Sequence, residues 1–354
     1  MPKPQTFRHI AFSYIIGVSC FAAFLLPGAV SHYAFKITSL VPLVSAVLSL
    51  APAYVLYRAV GRYGNLRALV QQRLGKRAAR WCGAALSLWL GAIAVFYLLA
   101  MYDRLASTAF AYLPRFVCLG AAGICAALFA LCGKQVMGRS ASIIFIILML
   151  SFIVLFFLCA GGIVWKGLLS LQYRSLPSGV RALLFPLGMV GLLCFLLYDY
   201  EGEPFRLRAI GACTVAGNVI ISGILLLIQG VFGIAFGEKI AYPFFALIKS
   251  TRSLIRLEHF ESLISGIWIV MSLGFFVILV HTMVSALRVS FPRLAARGEG
   301  ALLLLPVAAV VAAALLLPDS RALCTAALGS VMPAGNLLLG TVPICILSLT
   351  NKKI

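Results

Sequence analysis

Long apolar runs separated by short basic stretches make up nearly the whole chain. Windows near residues 10–30, 38–57, 82–102, 116–132, 141–165, 182–200, 209–232, 262–285, 301–317 and 322–348 are each predominantly apolar. Each is about 20 residues long, the length an α-helix needs to cross a bilayer core. The apolar character is continuous, whereas strands of outer-membrane barrels alternate lipid-facing and lumen-facing residues. The pattern therefore predicts an all-α polytopic membrane protein with ten transmembrane helices. One stretch between the seventh and eighth windows differs. In YPFFALIKSTRSLIRLEHFES, Phe244, Leu247, Ile248, Leu254 and Ile255 recur at helical spacing, with Lys249, Arg252, Arg256 and Glu258 on other faces. That spacing predicts an outer amphipathic helix over 243–260. It reads equally as a lid packed on the spans or as a partner-binding surface.

Composition sharpens this picture. The 354 residues are 63% hydrophobic and only 11% charged, against about 25% charged in soluble domains. The net charge is +20, yet the Lys and Arg lie almost entirely between the apolar runs. The N-terminus, the stretches 58–80, 133–140, 201–208 and 286–299, and the C-terminus hold 18 of the 29. Arg58, Arg62, Arg67, Arg73, Lys76, Arg77 and Arg80 belong to the first of those stretches. The positive-inside rule then places both termini in the cytoplasm. Attraction to anionic lipid headgroups accounts for the remaining basic surplus. No soluble basic domain is present to hold a duplex, so no nucleic-acid partner is expected. The first apolar run leads directly into further spans and reads as a mature helix rather than a signal peptide.

Candidate chemistry is sparse. The ten cysteines lie mostly inside apolar runs, where a thiol behaves as a small hydrophobe. Cys118, Cys125 and Cys132 share one helix face with Ala121 and Ala122 beside them, a pattern of close packing or else a thiol or metal site. Asp103, Asp199 and Glu201 stand at span ends, where Arg104 and Arg206 can pair with them. His281 and Ser285 are four residues apart near the inner end of span eight, with no carboxylate placed to orient the His. No CxxC, HExxH, Walker or GxSxG motif occurs. No enzyme, cofactor or metal site is therefore expected, a membrane acyltransferase being the outlying alternative.

Spans one and six carry the informative interruptions. Span one contains Gly17, Ser19, Cys20 and Pro27; span six contains Pro186, Gly188 and Gly191. Pro removes an amide donor and Gly weakens a helix, so both spans are expected to unwind partway across. They occupy equivalent positions if the chain is two halves of five spans, and paired interrupted helices point to a transporter-type site. Freed amides can hold a carboxylate and freed carbonyls an ammonium group, which suits a zwitterion such as an amino acid. The expected ligand contacts are Gly17, Ser19, Cys20, Ala22, Pro186, Gly188 and Gly191, with Tyr97 midway along span three either donating into the cavity or packing.

In these features the chain resembles the spore germination permease family, the B-type subunits of nutrient germinant receptors, within the amino acid–polyamine–organocation transporter class. The resemblance rests on the ten spans, the small-residue break before Leu26-Pro27, and an ordered outer motif. In that motif Tyr242-Pro243 opens the segment, Glu258-His259-Phe260-Glu261 follows, and Trp268 stands seven residues beyond Glu261. The chain departs from the family pattern at Cys20 and Ala22, where glycines are usual, at His259, which replaces an Arg, and in lacking a glutamate within span six. The resemblance implies a LeuT-like five-plus-five inverted repeat (about 9–165 and 181–348) in a single transmembrane domain. It further implies a nutrient pocket at spans one and six, an A-type membrane subunit and a C-type lipoprotein as partners, and the spore inner membrane or cell membrane as location. Nutrient binding would trigger germination. The alternative is an amino-acid permease of the same fold, coupled to protons or sodium; sparse intramembrane carboxylates favour sensing over proton-coupled transport.

Overall fold

The computed structural model describes residues 6–24, 40–108, 112–165, 176–233, 240, 242–250, 260–292, 299–318 and 321–350. Among the described residues all regular structure is helical. The elements are α1 (Phe7–Phe24), α2 (Val41–Tyr63), α3 (Leu66–Thr108), α4 (Arg115–Ala160), α5 (Leu176–Leu196), α6 (Leu207–Phe232), α7 (Pro243–Ser250), α8 (Phe260–Ser290), α9 (Glu299–Leu316) and α10 (Arg321–Leu349). Six of these, α2, α3, α4, α6, α8 and α10, are long and apolar enough to cross a membrane, while α1, α5 and α9 supply shorter apolar stretches.

Two glycines shape the long helices. At 46 residues α4 would extend about 70 Å if straight, roughly twice a bilayer core. Gly133 (φ 81°, ψ 172°) breaks it into two arms, a left-handed conformation open to glycine and strained for other residues. The break takes a single residue, so the loop expected over 133–140 is instead the start of the second arm. Gly75 (φ 90°, ψ 166°) divides α3 in the same way. The basic stretch 58–80, expected as a loop, therefore contains a helical arm from Leu66 onward. Its start is set by Asn65, whose Oδ1 accepts the Ala68 amide at 2.7 Å. Leu66, Leu69 and Val70 bury the inner face at helical spacing.

Helix α10 is irregular for a different reason. π-helical turns at Ala327–Val331 and Leu337–Thr341 flank Met332–Asn336. Each ends two residues before a proline, Pro333 or Pro343. A proline has no amide to return to the fourth residue before it, and its ring presses on that residue's carbonyl, so the turn widens.

The centre of the bundle is α1. Every residue from Tyr14 to Ala23 is buried, and the helix packs against α4, α5, α6 and α8. Helix α5 is nearly as enclosed, with Gly188 to Phe195 all buried. In contrast, α4 turns Phe116, Ile124, Leu128, Ile143 and Leu150 outward, as a lipid-facing helix does. This arrangement corrects one expectation. Helix α1 is continuous through Gly17, Ser19, Cys20 and Ala22, and α5 is continuous through Pro186, Gly188 and Gly191. Small residues in these helices permit close approach of neighbours rather than unwinding. Helix α5 ends at Leu196, after which Leu197–Arg206 runs as turn and extended backbone. Pro27 lies outside the described residues.

The outer segment forms α7 over Pro243–Ser250, shorter than the expected 243–260. Residues 251–259, including Arg252, Leu254, Ile255, Arg256 and Glu258, lie outside the described residues, as does the side chain of Glu261. What is described packs inward: Pro243, Phe244, Phe245, Leu247 and Ile248 are buried against α6, α8 and α1.

Candidate functional site

The residues expected to form one pocket separate into two packed clusters. The first lies between α1, α3 and α8. Phe21, Tyr97 and Phe275 form a triad of edge-on rings with centroids 5.1–5.5 Å apart, a favourable arrangement of aromatic quadrupoles. The Cys20 thiol faces the Tyr97 hydroxyl, which in turn faces Ser272. Ser272 donates to the Trp268 carbonyl at 2.6 Å. Ser19 and Ala22 are fully buried in the same helix, and Ser19 Oγ has no hydrogen-bond partner among the described residues. Gly17 sits where any Cβ would collide with the Phe275 ring and stand 2.9 Å from Leu192. Tyr97 and the α1 residues therefore do meet, but in close contact.

Arg104 completes this cluster at the end nearer α7. It has no exposed surface and lies with its guanidinium carbon 4.4 Å from the Phe245 ring centroid of α7. Tyr97, Cys20 and Tyr242 are the groups that act on it electrostatically. A buried cation is tolerated only where neighbours replace its hydration. The pairing of Arg104 with Asp103 expected from their adjacency does not occur. Asp103 instead accepts from Arg321 Nε at 3.1 Å and from the Tyr242 hydroxyl. Arg321 also lies 4.9 Å from the Tyr242 ring. These contacts pin the start of α7 to α3 and α10. Trp268 packs edge-on against Phe244 at 4.4 Å, so three residues of the outer motif, Tyr242, Pro243 and Trp268, converge on one docking surface. Burial raises the Tyr242 phenol well above the usual range, and its bond to Asp103 raises it further.

The second cluster joins α5 to α10. An added Cβ on Gly188 would stand 2.5 Å from the Pro333 Cα, and one on Gly191 would strike the Asn336 carbonyl. The two backbones thus touch. Asn336, fully buried between the two π turns, accepts from Trp89 Nε1 at 3.0 Å. Pro186 is buried within α5. Gly188 and Gly191 thus face α10, not Cys20 and Tyr97.

A polar cavity of about 50 Å³ occurs lower down, between α1, the second arm of α4, the end of α5 and α8. Lys134 Nζ donates to Asp199 Oδ2 at 2.8 Å and to the Asp199 carbonyl at 3.2 Å, and Ser285 donates to the same Oδ2 at 2.9 Å. Asp199 therefore pairs with Lys134 rather than Arg206. His281 also lines the cavity, and neither ring nitrogen has a hydrogen-bond partner among the described residues. The carboxylate missing from the sequence argument about His281 and Ser285 is thus present, but it holds Ser285 and Lys134. The non-helical backbone after Leu196 borders this polar cavity through Tyr198 and Asp199. Sequence reasoning missed this site because Lys134 and Asp199 are far apart in the chain; the sparse intramembrane charges were the available signal.

By overall fold the chain is similar to solved structures of a manganese transporter from Eremococcus coleocola. The transporter in complex with an aromatic bis-isothiourea substituted compound superposes with a TM-score of 0.57 at 14% identity, covering 97% of this chain and 80% of that chain. A glutamate-to-alanine variant of the transporter gives 0.59 over the same shares at the same identity. The likeness is one of fold. No protein-family profile matches the chain, and no curated protein matches it by sequence. The chain is a multi-pass helical membrane protein with a fold shared by a transporter.

Proposed function

We propose that this protein recognises a small carboxylate-bearing nutrient, an amino acid above all, in the centre of the bundle, and that it acts as the B-type permease subunit of a spore nutrient-germinant receptor. The observation that carries the reading is Arg104, buried beneath α7 beside Cys20 and Tyr97. With α1 helical through Ala22 and α5 through Gly191, the charge complementarity first sought in bare helix ends passes to a side chain, since a guanidinium forks onto a carboxylate. Helix α7 is the outer lid over this site. The germinant-receptor reading is supported by the outer motif, whose Pro243 and Trp268 are buried and whose half-buried Tyr242 bonds Asp103 in the docking of α7.

Manganese is a poor candidate for the ligand. Hard divalent cations need several oxygen donors, usually carboxylates, and α1 and α5 contain no Asp or Glu. Among the described residues no three His, Cys, Asp or Glu side chains gather into a metal-binding group. A permease of the same fold is the second reading, favoured by the polar inner cavity, which offers an exit path. A ligand-induced thermal-shift screen of amino acids on the purified protein tests recognition, and stabilisation by none of them would refute it. Uptake of radiolabelled amino acid into proteoliposomes separates the two readings: background uptake fits a sensor, concentrative uptake a permease.

A further inference from the structure

A second cavity, of about 220 Å³, lies where α3 bends and α8 ends, and its lining is strongly basic. Arg67 and Gln71 stand four residues apart on the first arm of α3, Lys76 and Arg80 four apart on the second. The Gly75 break turns these two faces toward one another, so both pairs line the same cavity, with Val289 and Pro292 completing the wall. Among the described residues no Asp or Glu lines it. Arg67 is held in place: its amide donates to the Tyr198 carbonyl at 3.1 Å and its Nη2 to the Val289 carbonyl at 3.4 Å. Like charges four residues apart on a helix destabilise it. Three cations gathered around one hollow without an acid therefore form a surface whose electrostatics favour an anion. A merely solvated basic face would let such side chains splay apart over convex helix.

We propose that this cavity binds a phosphate group, with Arg67 as the fixed fork and Lys76 and Arg80 as mobile cations that close on it. Its place on the face that carries most of the Lys and Arg sets it at headgroup level. A hollow of this size has room for several water molecules and hence for a tetrahedral anion. The phosphate is supplied by an anionic lipid headgroup or by soluble phosphate.

The test uses the full-length protein purified in a neutral detergent. Binding of phosphatidylglycerol, phosphatidylcholine and inorganic phosphate is measured by native mass spectrometry and thermal stability. The K76Q/R80Q variant alters two exposed side chains of the cavity and spares Arg67. R58Q/R77Q removes the same charge from exposed sites outside it. Phosphatidylglycerol is expected to bind in preference to phosphatidylcholine. K76Q/R80Q should weaken that binding by roughly tenfold or more, since each hydrogen bond to a charged group is worth a factor of about ten or more, while R58Q/R77Q, which removes no such contact, leaves it nearly unchanged. Inorganic phosphate that binds and displaces the lipid would identify soluble phosphate as a ligand; lipid binding indifferent to phosphate would identify the headgroup. No anion binding by the parent protein, or equal loss in both double variants, would overturn the proposal.

Discussion

Arg104 and Phe245 face each other across the junction of α3 and α7, guanidinium carbon to ring centroid 4.4 Å, with the arginine wholly enclosed. Helix α7 is thus fastened directly over this buried cation. If Arg104 receives the nutrient carboxylate, Arg104→Gln should weaken amino-acid binding ten- to a hundredfold, the loss of a charge-assisted pair. Arg104→Lys should restore part of it without the bidentate geometry. Ligand-induced thermal shifts measure both; affinity unchanged in the Gln variant would place the site elsewhere.

Gly188 and Gly191 bring α5 against the backbone of α10. Gly188→Leu should therefore act on folding: the added bulk meets Pro333, and overpacking typically costs about 1–3 kcal/mol. The expected result is reduced monodisperse yield and a lower unfolding temperature. Normal stability with loss of nutrient response would instead mark Gly188 as a ligand contact.

The Lys134–Asp199–Ser285 cluster lines the polar cavity between α1, α4, α5 and α8. Asp199→Asn removes the ion pair, and the lower end of the bundle is expected to open more often. A cysteine introduced at Ser13, which lines this cavity, should then react faster with a water-soluble maleimide in the purified protein. An unchanged rate would show that the pair is structural only.

Tyr242 gives a pH dependence with a defined sign. Burial, then the bond to Asp103, raises its phenol above the usual value, so the folded state favours the protonated form. Its contribution is complete below about pH 10, the unfolded value, and is lost as pH rises toward the folded value. Stability should be flat from pH 7 to 9 and fall above about 10, more steeply in the parent protein than in Tyr242→Phe. Identical alkaline slopes would mean that the Tyr242–Asp103 contact contributes nothing.

The class of the protein is legible in the chain because hydrocarbon imposes a simple requirement: apolar length with every backbone group satisfied internally. Residue periodicity likewise announces α7, and Asn65 with Leu66, Leu69 and Val70 carries the signal for the first arm of α3. What the small residues of α1 and α5 do was decided only in three dimensions. Gly17, Gly188 and Gly191 weaken a helix in isolation, but here each is met by a neighbour, Phe275, Pro333 or Asn336, that fills the space and leaves the helix whole. Pairing was equally hidden. Asp103 ignores adjacent Arg104 for Arg321, and Asp199 takes Lys134, because consecutive residues on a helix point about 100° apart while distant ones are brought together by packing. Local sequence governs which segments enter the membrane; side-chain direction and helix contact govern which charges meet inside it.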